Sequence, residues 1–275
     1  MTRIATLVAF FVLCYSSIQA QANVKYINGT YDGQHDANGQ RTGFANAILD
    51  DGSTYKGNWE ANMRNGQGEA TFPNGDRYVG EWKNDQRNGK GKYFFKNGDI
   101  YTGDFEADIM NGQGVYRFAN GDEYTGSVTN GQVTGIGMCL YANGETYQGT
   151  LLNGKRTGQG TYTYRDGKVY EGLFSEDIKI GKGTMTFPNG DKYVGDFTNN
   201  KRTGQGTYYY ANGDIYEGQF TNGLMDGAGK FKWADGDVFI GTWKANKRQG
   251  AGKLISKDGG ESVKQYSAGI EIASN

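Results

Sequence analysis

The chain has 275 residues, and its 29 Lys and Arg residues nearly balance its 30 Asp and Glu residues. Because there is no basic excess to neutralise phosphates, this balance argues against nucleic acid as a partner. The chain also contains 46 glycines but only 2 prolines, together with 20 tyrosines and 14 phenylalanines. So few prolines exclude a collagen-like chain, and so many aromatic residues exclude a disordered one. Glycine and aromatic residues together predict short strands joined by tight turns.

Residues 1–22 have the pattern of a secretory signal peptide. Arg3 supplies a positive charge, residues 4–15 form a mostly apolar run, and a small-residue site predicts cleavage after Ala22. The run is too short to cross a bilayer, which needs about 20 residues. We therefore expect a secreted or periplasmic protein; the alternative is an uncleaved segment that anchors the N-terminus in a membrane. Cleavage removes Cys14 and leaves Cys139, which we expect to be buried.

After this segment, one pattern recurs every 23 residues. Each copy opens with an aromatic residue, followed by glycine two positions later and a large apolar residue two positions after that, as in Tyr78-Val79-Gly80-Glu81-Trp82. A G-x-G pair comes next, as at Gly89 and Gly91, and Asn-Gly or Asp-Gly closes the copy. The pattern divides the chain into a signal peptide (1–22), a degenerate first repeat or N-terminal cap (23–54), nine regular repeats (55–261) and a C-terminal cap or tail that is partly disordered (262–275).

Each copy predicts two strands, because side chains alternate with a period of two after the opening aromatic residue and after the G-x-G pair. Asn-Gly and Asp-Gly tolerate positive φ and favour hairpin turns. No helix is predicted after residue 22. The sequence therefore predicts an all-β fold, an elongated single-layer antiparallel β-meander of about ten hairpin repeats with stacked aromatic residues on one face. Its predicted core comprises Tyr55, Trp59, Tyr78, Trp82, Tyr101, Phe105, Tyr124, Tyr147, Tyr170, Phe174, Tyr193, Phe197, Tyr216, Phe220, Phe239 and Trp243.

The repeated Tyr-x-Gly-x-Trp, G-x-G and terminal Asn-Gly resemble the MORN (membrane occupation and recognition nexus) repeat. The similarity is strong over residues 55–261 and weak over 31–54. It implies an extended, twisted meander of hairpins and a role as a membrane-associated scaffold or dimerisation module. In MORN-containing kinases and methyltransferases, the chemistry belongs to a separate domain. The signal peptide departs from the cytosolic setting of well-known MORN proteins.

No pattern in the sequence indicates catalysis, a metal centre or a cofactor, so we predict that the chain is not an enzyme. His35 is the single histidine and falls in a predicted loop, and no Cys/His cluster has metal-ligand spacing. The acidic residues after the closing turns could bind calcium or form a glycosidase pair. The favoured interpretation is local hydrogen bonding within the turns. These residues are Asp76, Asp99, Asp122, Glu145, Asp191, Asp214 and Asp237.

Basic residues recur in the predicted loop in the middle of each repeat, where they alternate with apolar residues such as Met110 and Val133. Such an edge could contact anionic lipid headgroups or a protein partner, or it could be ordinary solvated charge. The leading hypothesis is a scaffold that binds another protein or itself; the alternatives are anionic lipid binding and carbohydrate binding on the aromatic face. The candidate contact residues are Arg64, Arg87, Arg156, Lys179, Arg202 and Arg248.

Overall fold

The computed structural model describes residues 29–272, which form 22 strands and no helix. The predicted all-β fold is thus confirmed, while the predicted signal peptide lies outside the described residues. No helix within residues 29–272 could cross a membrane. The strands are β1 Thr30–His35, β2 Arg41–Ile48, β3 Thr54–Glu60, β4 Met63–Thr71, β5 Arg77–Lys83, β6 Gln86–Phe94, β7 Ile100–Glu106, β8 Ile109–Arg117, β9 Glu123–Thr129, β10 Gln132–Leu140, β11 Thr146–Leu152, β12 Lys155–Thr163, β13 Val169–Ser175, β14 Ile178–Thr186, β15 Lys192–Thr198, β16 Lys201–Tyr209, β17 Ile215–Thr221, β18 Leu224–Lys232, β19 Val238–Lys244, β20 Lys247–Ile255, β21 Glu261–Ser267 and β22 Ile270–Ile272.

The strands belong to two compact units. The first unit runs to Ala142 and includes Leu151–Lys155; the second comprises Asn143–Thr150 and the chain from Arg156 onward. Within the first unit, each strand from β1 to β10 pairs with the next in antiparallel orientation. Within the second unit, the strands from β12 to β22 do the same. Both units are therefore antiparallel meanders, as the repeat predicts.

The turn in the middle of each repeat is a two-residue hairpin rather than a loop. In the repeat 55–77, Ala61 and Asn62 join β3 to β4, and both have positive φ, 49° and 69°. This is the pattern of a type I′ turn, whose twist matches that of the flanking strands. The second strand consequently starts at Met63, before the G-x-G pair, and not after it as the sequence analysis expects.

The Asn-Gly pair occupies the other turn of each repeat, in a longer loop. The Gly75 N–H donates to the Phe72 carbonyl, and the Phe72 N–H donates to the Asp76 carbonyl. Gly75 has φ of 91°, whereas Asn74 does not have positive φ. These bonds define a type I turn followed by a glycine in the left-handed region. The Asn-Gly pair therefore predicts a hairpin correctly, but the turn is not of type I′.

The core lies on one face of each meander, which we call the inner face; the opposite face is the outer face. The opening aromatic residue of every regular repeat is at most 1% exposed, and the apolar residue four positions later is at most 4% exposed. The predicted aromatic columns are present, but the rings of the two buried columns meet edge-on, whereas Phe72 and Tyr93 stack with 23° between their ring planes. The Tyr78 ring meets Trp82 and Phe105 edge-on, at 86° and 77° between ring planes, which suits the quadrupoles of aromatic rings.

Two glycines make room for each opening tyrosine. A Cβ on Gly80 would lie 2.5 Å from both the Tyr78 hydroxyl oxygen and the Gly91 Cα. The ladder between β5 and β6 breaks after Gly80, and the Tyr78 hydroxyl donates to the Glu81 carbonyl at 2.9 Å. The tyrosine therefore fills the space above the paired glycines and satisfies a carbonyl beside the break in the ladder.

The C-terminal tail continues the meander as far as Ile272. β21 begins at Glu261 and extends into the tail, and β22 lies wholly within it. Tyr266 is 3% exposed and meets Phe239 edge-on, at a ring centroid distance of 5.2 Å. Tyr266 thus covers the inner face of the last regular repeat, which is the task of a cap.

Candidate functional site

The six basic residues predicted as loop contacts lie in strands. Each is the second residue of the second strand of its repeat, because the preceding turn takes only two residues. Their side chains turn toward the inner face and pack on aromatic rings: the Arg64 guanidinium carbon lies 4.1 Å from the Trp82 ring centroid. Arg156 is 4% exposed and Lys179 is 9% exposed. The residues are therefore placed differently from the exposed loop edge that the sequence analysis describes.

These six positions and their equivalents in the other repeats form a column on the inner face, and four of its arginines, Arg64, Arg87, Arg156 and Arg202, also reach the middle turn of the following repeat. The Arg87 N–H donates to Asp108 Oδ1 at 2.9 Å, its Nε to the same oxygen at 3.0 Å, and its Nη2 to the Asp108 carbonyl at 2.8 Å. Arg64 with Asp85 and Arg156 with Asp177 form the same set of bonds. The column thus links neighbouring repeats by charge-assisted hydrogen bonds over a partly desolvated surface.

From Arg64 to Arg156, the column residue and the turn residue that follows it change together. Where the column holds Met110 or Val133 instead of a basic residue, the turn residue is Gly131 or Gly154, and its N–H donates to the column residue's carbonyl as in the other repeats. Met225 departs from this rule, because its turn residue is Asn246, whose Oδ1 accepts the Met225 N–H at 2.7 Å. Where the column holds Arg64, Arg87 or Arg156, the turn residue is aspartate. This link was not predicted from the sequence, although the side chains 21 residues apart that change together between Arg64 and Asp177 could have revealed it. Arg202 and Arg248 combine an arginine in the column with a glycine in the turn that follows. The Arg202 Nη2 donates to the Gly223 carbonyl at 2.7 Å. The Arg248 Nη1 donates to the Tyr266 hydroxyl at 2.9 Å.

Lys179 differs from the other members of the column in its partner. The turn residue that follows it is Asn200, whose Oδ1 accepts only the Lys179 backbone N–H, at 2.9 Å, while Nζ donates to the Tyr164 hydroxyl at 2.6 Å. Burial, assisted by the positive charges of Arg156 and Lys168, lowers the pKa of Lys179 to about 8. A buried ammonium without a carboxylate is a local cost in stability.

The acidic residues of the closing turns act within and between repeats. Asp76 caps its own turn, where its N–H donates to Asn74 Oδ1, and it also accepts the Lys96 N–H at 2.8 Å and the Tyr93 hydroxyl at 2.7 Å from the next repeat. Asp191 accepts the equivalent bonds from Ala211 and Tyr208. Turn chemistry therefore accounts for these carboxylates, and the bond to the following repeat is an addition that the sequence analysis did not foresee.

Both prolines of the chain lie at loop positions where the bond to the acidic residue of the preceding repeat is missing. Pro73 and Pro188 occupy the loop position that elsewhere supplies the N–H, and proline has none to donate. The preceding repeats correspondingly carry Ser53 and Lys168, whereas the repeats that precede the other closing loops up to residue 257 carry Asp or Glu. Each proline ring instead packs toward the turn glycine of the preceding repeat, with Pro188 near Gly167.

The outer face presents side chains that the inner face does not use. Strand β10 exposes three apolar side chains in succession on this face, Ile136 at 73%, Met138 at 49% and Leu140 at 46%. Strand β2 exposes Phe44 at 60% and Ile48 at 50%. Exposed apolar side chains that adjoin one another in this way are typical of interaction surfaces.

Residues with catalytic or metal-binding chemistry do not converge within the described ranges. No group of three or more His, Cys, Asp and Glu side chains in residues 29–272 could hold a metal ion. His35 ends β1, on the surface, with its ring centroid 5.2 Å from that of Tyr31. Cys139 is buried, as the sequence analysis expects.

The chain belongs to the MORN-repeat family. The family model of the MORN repeat matches nine consecutive segments that together cover residues 55–261. Their boundaries at Tyr55, Tyr78 and each later opening aromatic residue coincide with the repeats described above. A search of curated proteins finds no match to the chain.

Several solved structures are similar to the chain. The TCP10 domain of Danio rerio CPAP, in complex with a peptide of Danio rerio STIL, is 11% identical with a TM-score of 0.43, and the match covers 89% of this chain and 100% of that chain. The TCP domain of Drosophila melanogaster SAS-4, in complex with a proline-rich motif of Ana2, is 14% identical with a TM-score of 0.31, and covers 64% of this chain and 83% of that chain. At this level the likeness carries no information about function.

Proposed function

We propose that this MORN-repeat chain is a non-catalytic scaffold, secreted or periplasmic, whose outer face binds a protein partner. The observation that carries the proposal is the contrast between the two faces. On the inner face, charged and aromatic side chains bond to the neighbouring repeat, as Arg87 does to Asp108. On the outer face, Ile136 and Met138 remain exposed. The partner is another protein or a second copy of the chain.

Site-specific photo-crosslinking tests the scaffold proposal. A benzoylphenylalanine placed at Met138, on the outer face, is compared with one at Phe118, a half-buried ring of the inner face. In an extract of the exported proteins of the source organism, we expect a defined crosslinked product from position 138 and none from position 118. Analytical ultracentrifugation of the same proteins separates self-association from capture of another protein. Equal or absent crosslinking at both positions would refute the proposal.

Export is tested separately. Edman sequencing of the mature protein from the secreting cells should begin at Asn23. A product that retains residues 1–22 in the membrane fraction would instead support the N-terminally anchored alternative.

Anionic lipid binding stays a prediction with its own test. Since Arg87 and Arg156 bridge repeats through Asp108 and Asp177, reversing their charge would also disturb packing. The unmodified protein should therefore be co-sedimented with neutral and anionic vesicles at low and physiological salt. Binding to anionic vesicles alone, weakened by salt, would favour a peripheral membrane role. Carbohydrate binding through the half-buried rings of the inner face predicts saturable binding of soluble glycans.

A further inference from the structure

We propose that the outer face carries two corresponding docking rows, one in each unit, and that each binds an acidic peptide segment with apolar side chains. This inference rests on the proposed scaffold function and names its partner class. Three observations support it. Repeats separated by five repeat lengths have corresponding residues, each unit has a similar row of outward side chains, and both rows carry positive charges.

Repeats five apart correspond more closely than the general pattern requires. The loop Phe72-Pro73-Asn74-Gly75-Asp76 is repeated residue for residue five repeats later, as Phe187-Pro188-Asn189-Gly190-Asp191. One repeat further on, Arg87 corresponds to Arg202, and in the next Met110 corresponds to Met225. The two units therefore carry related blocks of repeats, and a surface feature of one has a counterpart in the other.

Such a feature runs across five adjacent strands on the outer face of each unit. Its members are direct cross-strand neighbours, and each lies one residue from a side chain of the inner face, so that it points outward. The first docking row crosses β4 to β8 and consists of Thr71, Arg77, Phe94, Ile100 and Arg117. The second docking row crosses β14 to β18 and consists of Thr186, Lys192, Tyr209, Ile215 and Lys232.

Each docking row has an apolar centre between two cations. In the first row, the Arg77 guanidinium carbon lies 4.7 Å from the Phe94 ring centroid. In the second row, Lys192 Nζ lies 4.9 Å from the centroid of Tyr209, which is 37% exposed. A shallow groove adjoins each row, and its lining includes Val79 beside the first row and the corresponding Val194 beside the second. The same chemistry thus occurs twice at the same place in the repeat pattern.

The charges of the rows favour carboxylates in the partner. Within residues 29–272, no acidic side chain forms an ion pair with Lys192 or Lys232. In the first row, Arg77 pairs with Glu69 at 2.5 Å and is 41% exposed. Arg117 pairs with Glu123 at 2.7 Å and is 57% exposed. Exposed pairs of this kind contribute little to stability, so the carboxylates of a partner can replace these glutamates at low cost.

The shape of the surface favours an extended peptide over a membrane. Five strands span about 19 Å, the length of about six extended residues. The outer face beside the first row also carries Glu81 and Asp104, and that beside the second carries Asp196 and Glu217. A flat anionic membrane would meet these carboxylates, whereas a peptide lying along the row would not.

The test uses a phage library of random 12-residue peptides, selected on the purified protein, followed by calorimetric titration of the most enriched peptide. The first-row variant is Arg77→Glu with Arg117→Glu, and the second-row variant is Lys192→Glu with Lys232→Glu. The matched control is Lys83→Glu with Lys201→Glu, which makes the same change of charge at exposed sites outside the rows. Circular dichroism and thermal unfolding verify that each variant is folded.

We expect enrichment of acidic peptides with apolar side chains, and a stoichiometry of two peptides per chain. Each single-row variant should retain one site with unchanged affinity, and the combined variant should bind at least about tenfold more weakly. The control should stay within about twofold of the unmodified protein.

Other outcomes would overturn the inference in identifiable ways. A peptide that binds the combined variant normally would exclude the docking rows while leaving the scaffold function intact. Binding of phosphatidylserine vesicles, or self-association, that is lost in the combined variant while no acidic peptide is enriched would show that the rows serve a lipid surface or a second copy. No enriched peptide, together with no crosslink from Met138, would refute the proposed function as well.

Discussion

Repeats 78–100 and 124–146 form the same hairpin with different side chains on both faces. On the inner face, the first carries Trp82, Arg87 and Tyr93, and the second carries Val128, Val133 and Cys139 at the same positions. On the outer face, the positions of Lys90, Lys92 and Phe94 are taken by Ile136, Met138 and Leu140. One repeat is thus aromatic and charged inside, whereas the other is small and apolar inside and apolar outside.

What the two repeats share is the opening tyrosine and the glycines beneath it. Tyr78 and Tyr124 are each at most 1% exposed, and each donates its hydroxyl to the carbonyl three residues later. Burial raises the pKa of the equivalent Tyr101 to about 12, so these hydroxyls stay protonated donors at neutral pH. The comparison indicates that tyrosine and glycine set the backbone, while Arg87 with Asp108 in one repeat and Val133 with Gly154 in the other form alternative pairs at the same two positions.

The largest expected effect comes from breaking what all repeats share. We expect Gly80→Ala to lower the free energy of unfolding by about 3 kcal/mol, because its Cβ would collide with the Gly91 backbone and the Tyr78 hydroxyl. Gly223→Ala is the matched control. Its φ of 89° disfavours alanine, but no atom lies within 4 Å of the added Cβ, so a loss of about 1 kcal/mol is expected.

Urea unfolding with hydrogen exchange of individual repeats measures both changes, since a repeat array need not unfold in one step. Gly80 does not have positive φ. A loss no larger than that of Gly223→Ala would therefore contradict the close approach of Tyr78 and Gly91 as the reason for glycine at this position.

The next effect tests whether matched pairs can be exchanged between repeats. Arg87→Met gives repeat 78–100 the side chain of Met110 but leaves the Asp108 carboxylate without its guanidinium. We expect a loss of about 2 kcal/mol in the free energy of unfolding. Adding Asp108→Gly, which reproduces the pair of Met110 and Gly131 at a position of positive φ, should restore more than half of it.

A double-mutant cycle from urea unfolding provides the coupling energy, with Arg64 and Asp85 unchanged as the internal reference. Additive losses would contradict the view that the two positions vary as a pair.

The sequence predicts the features that depend on the repeat period and misses those that depend on turn length. Nine exact periods predict the hairpins and the buried columns headed by Tyr55 and Trp59. The middle turn escapes prediction because Ala61-Asn62 is a weak turn signal, and an assumed loop places Arg64 at an exposed edge. A two-residue turn instead sets Arg64 opposite Trp59 and turns it inward. The docking rows escape for the same reason, because cross-strand neighbours follow from turn lengths.

A smaller effect concerns Lys179, whose partner is Asn200 instead of aspartate. Because burial lowers its folded-state pKa to about 8, the unfolded chain binds more protons than the folded chain between about pH 8 and the ordinary lysine pKa of 10.5. Stability should therefore rise by about 1 kcal/mol from pH 7.5 to pH 9. From about one pH unit below the ordinary tyrosine pKa of 10.0 upward, the buried tyrosines oppose this trend, because their raised pKa values keep them protonated in the folded chain while the unfolded chain loses those protons.

Lys179→Met, which introduces the residue found at Met110, should be more stable than the unmodified protein at pH 7 and should lose the rise. Thermal unfolding of both proteins at half-unit pH steps measures how their stability changes with pH. Parallel curves for the two proteins would exclude Lys179 as the source of the pH dependence.

The smallest effect tests whether proline in the closing loop is incompatible with an acidic residue at the equivalent of Asp76 in the preceding repeat. Lys96 holds the loop position of Pro73, and its N–H donates to Asp76 Oδ1 at 2.8 Å. Lys96→Pro alone should cost about 1 kcal/mol, because it removes this donor from a carboxylate. In a background of Asp76→Ser, which copies the pairing of Ser53 with Pro73, the same substitution should cost less than half as much, since no acceptor loses a partner.

Ala234→Pro with Asp214→Ser repeats the comparison in the second unit, where the Ala234 N–H donates to Asp214. Equal costs in both backgrounds, measured by urea unfolding, would mean that the loop conformation alone decides where proline is accepted.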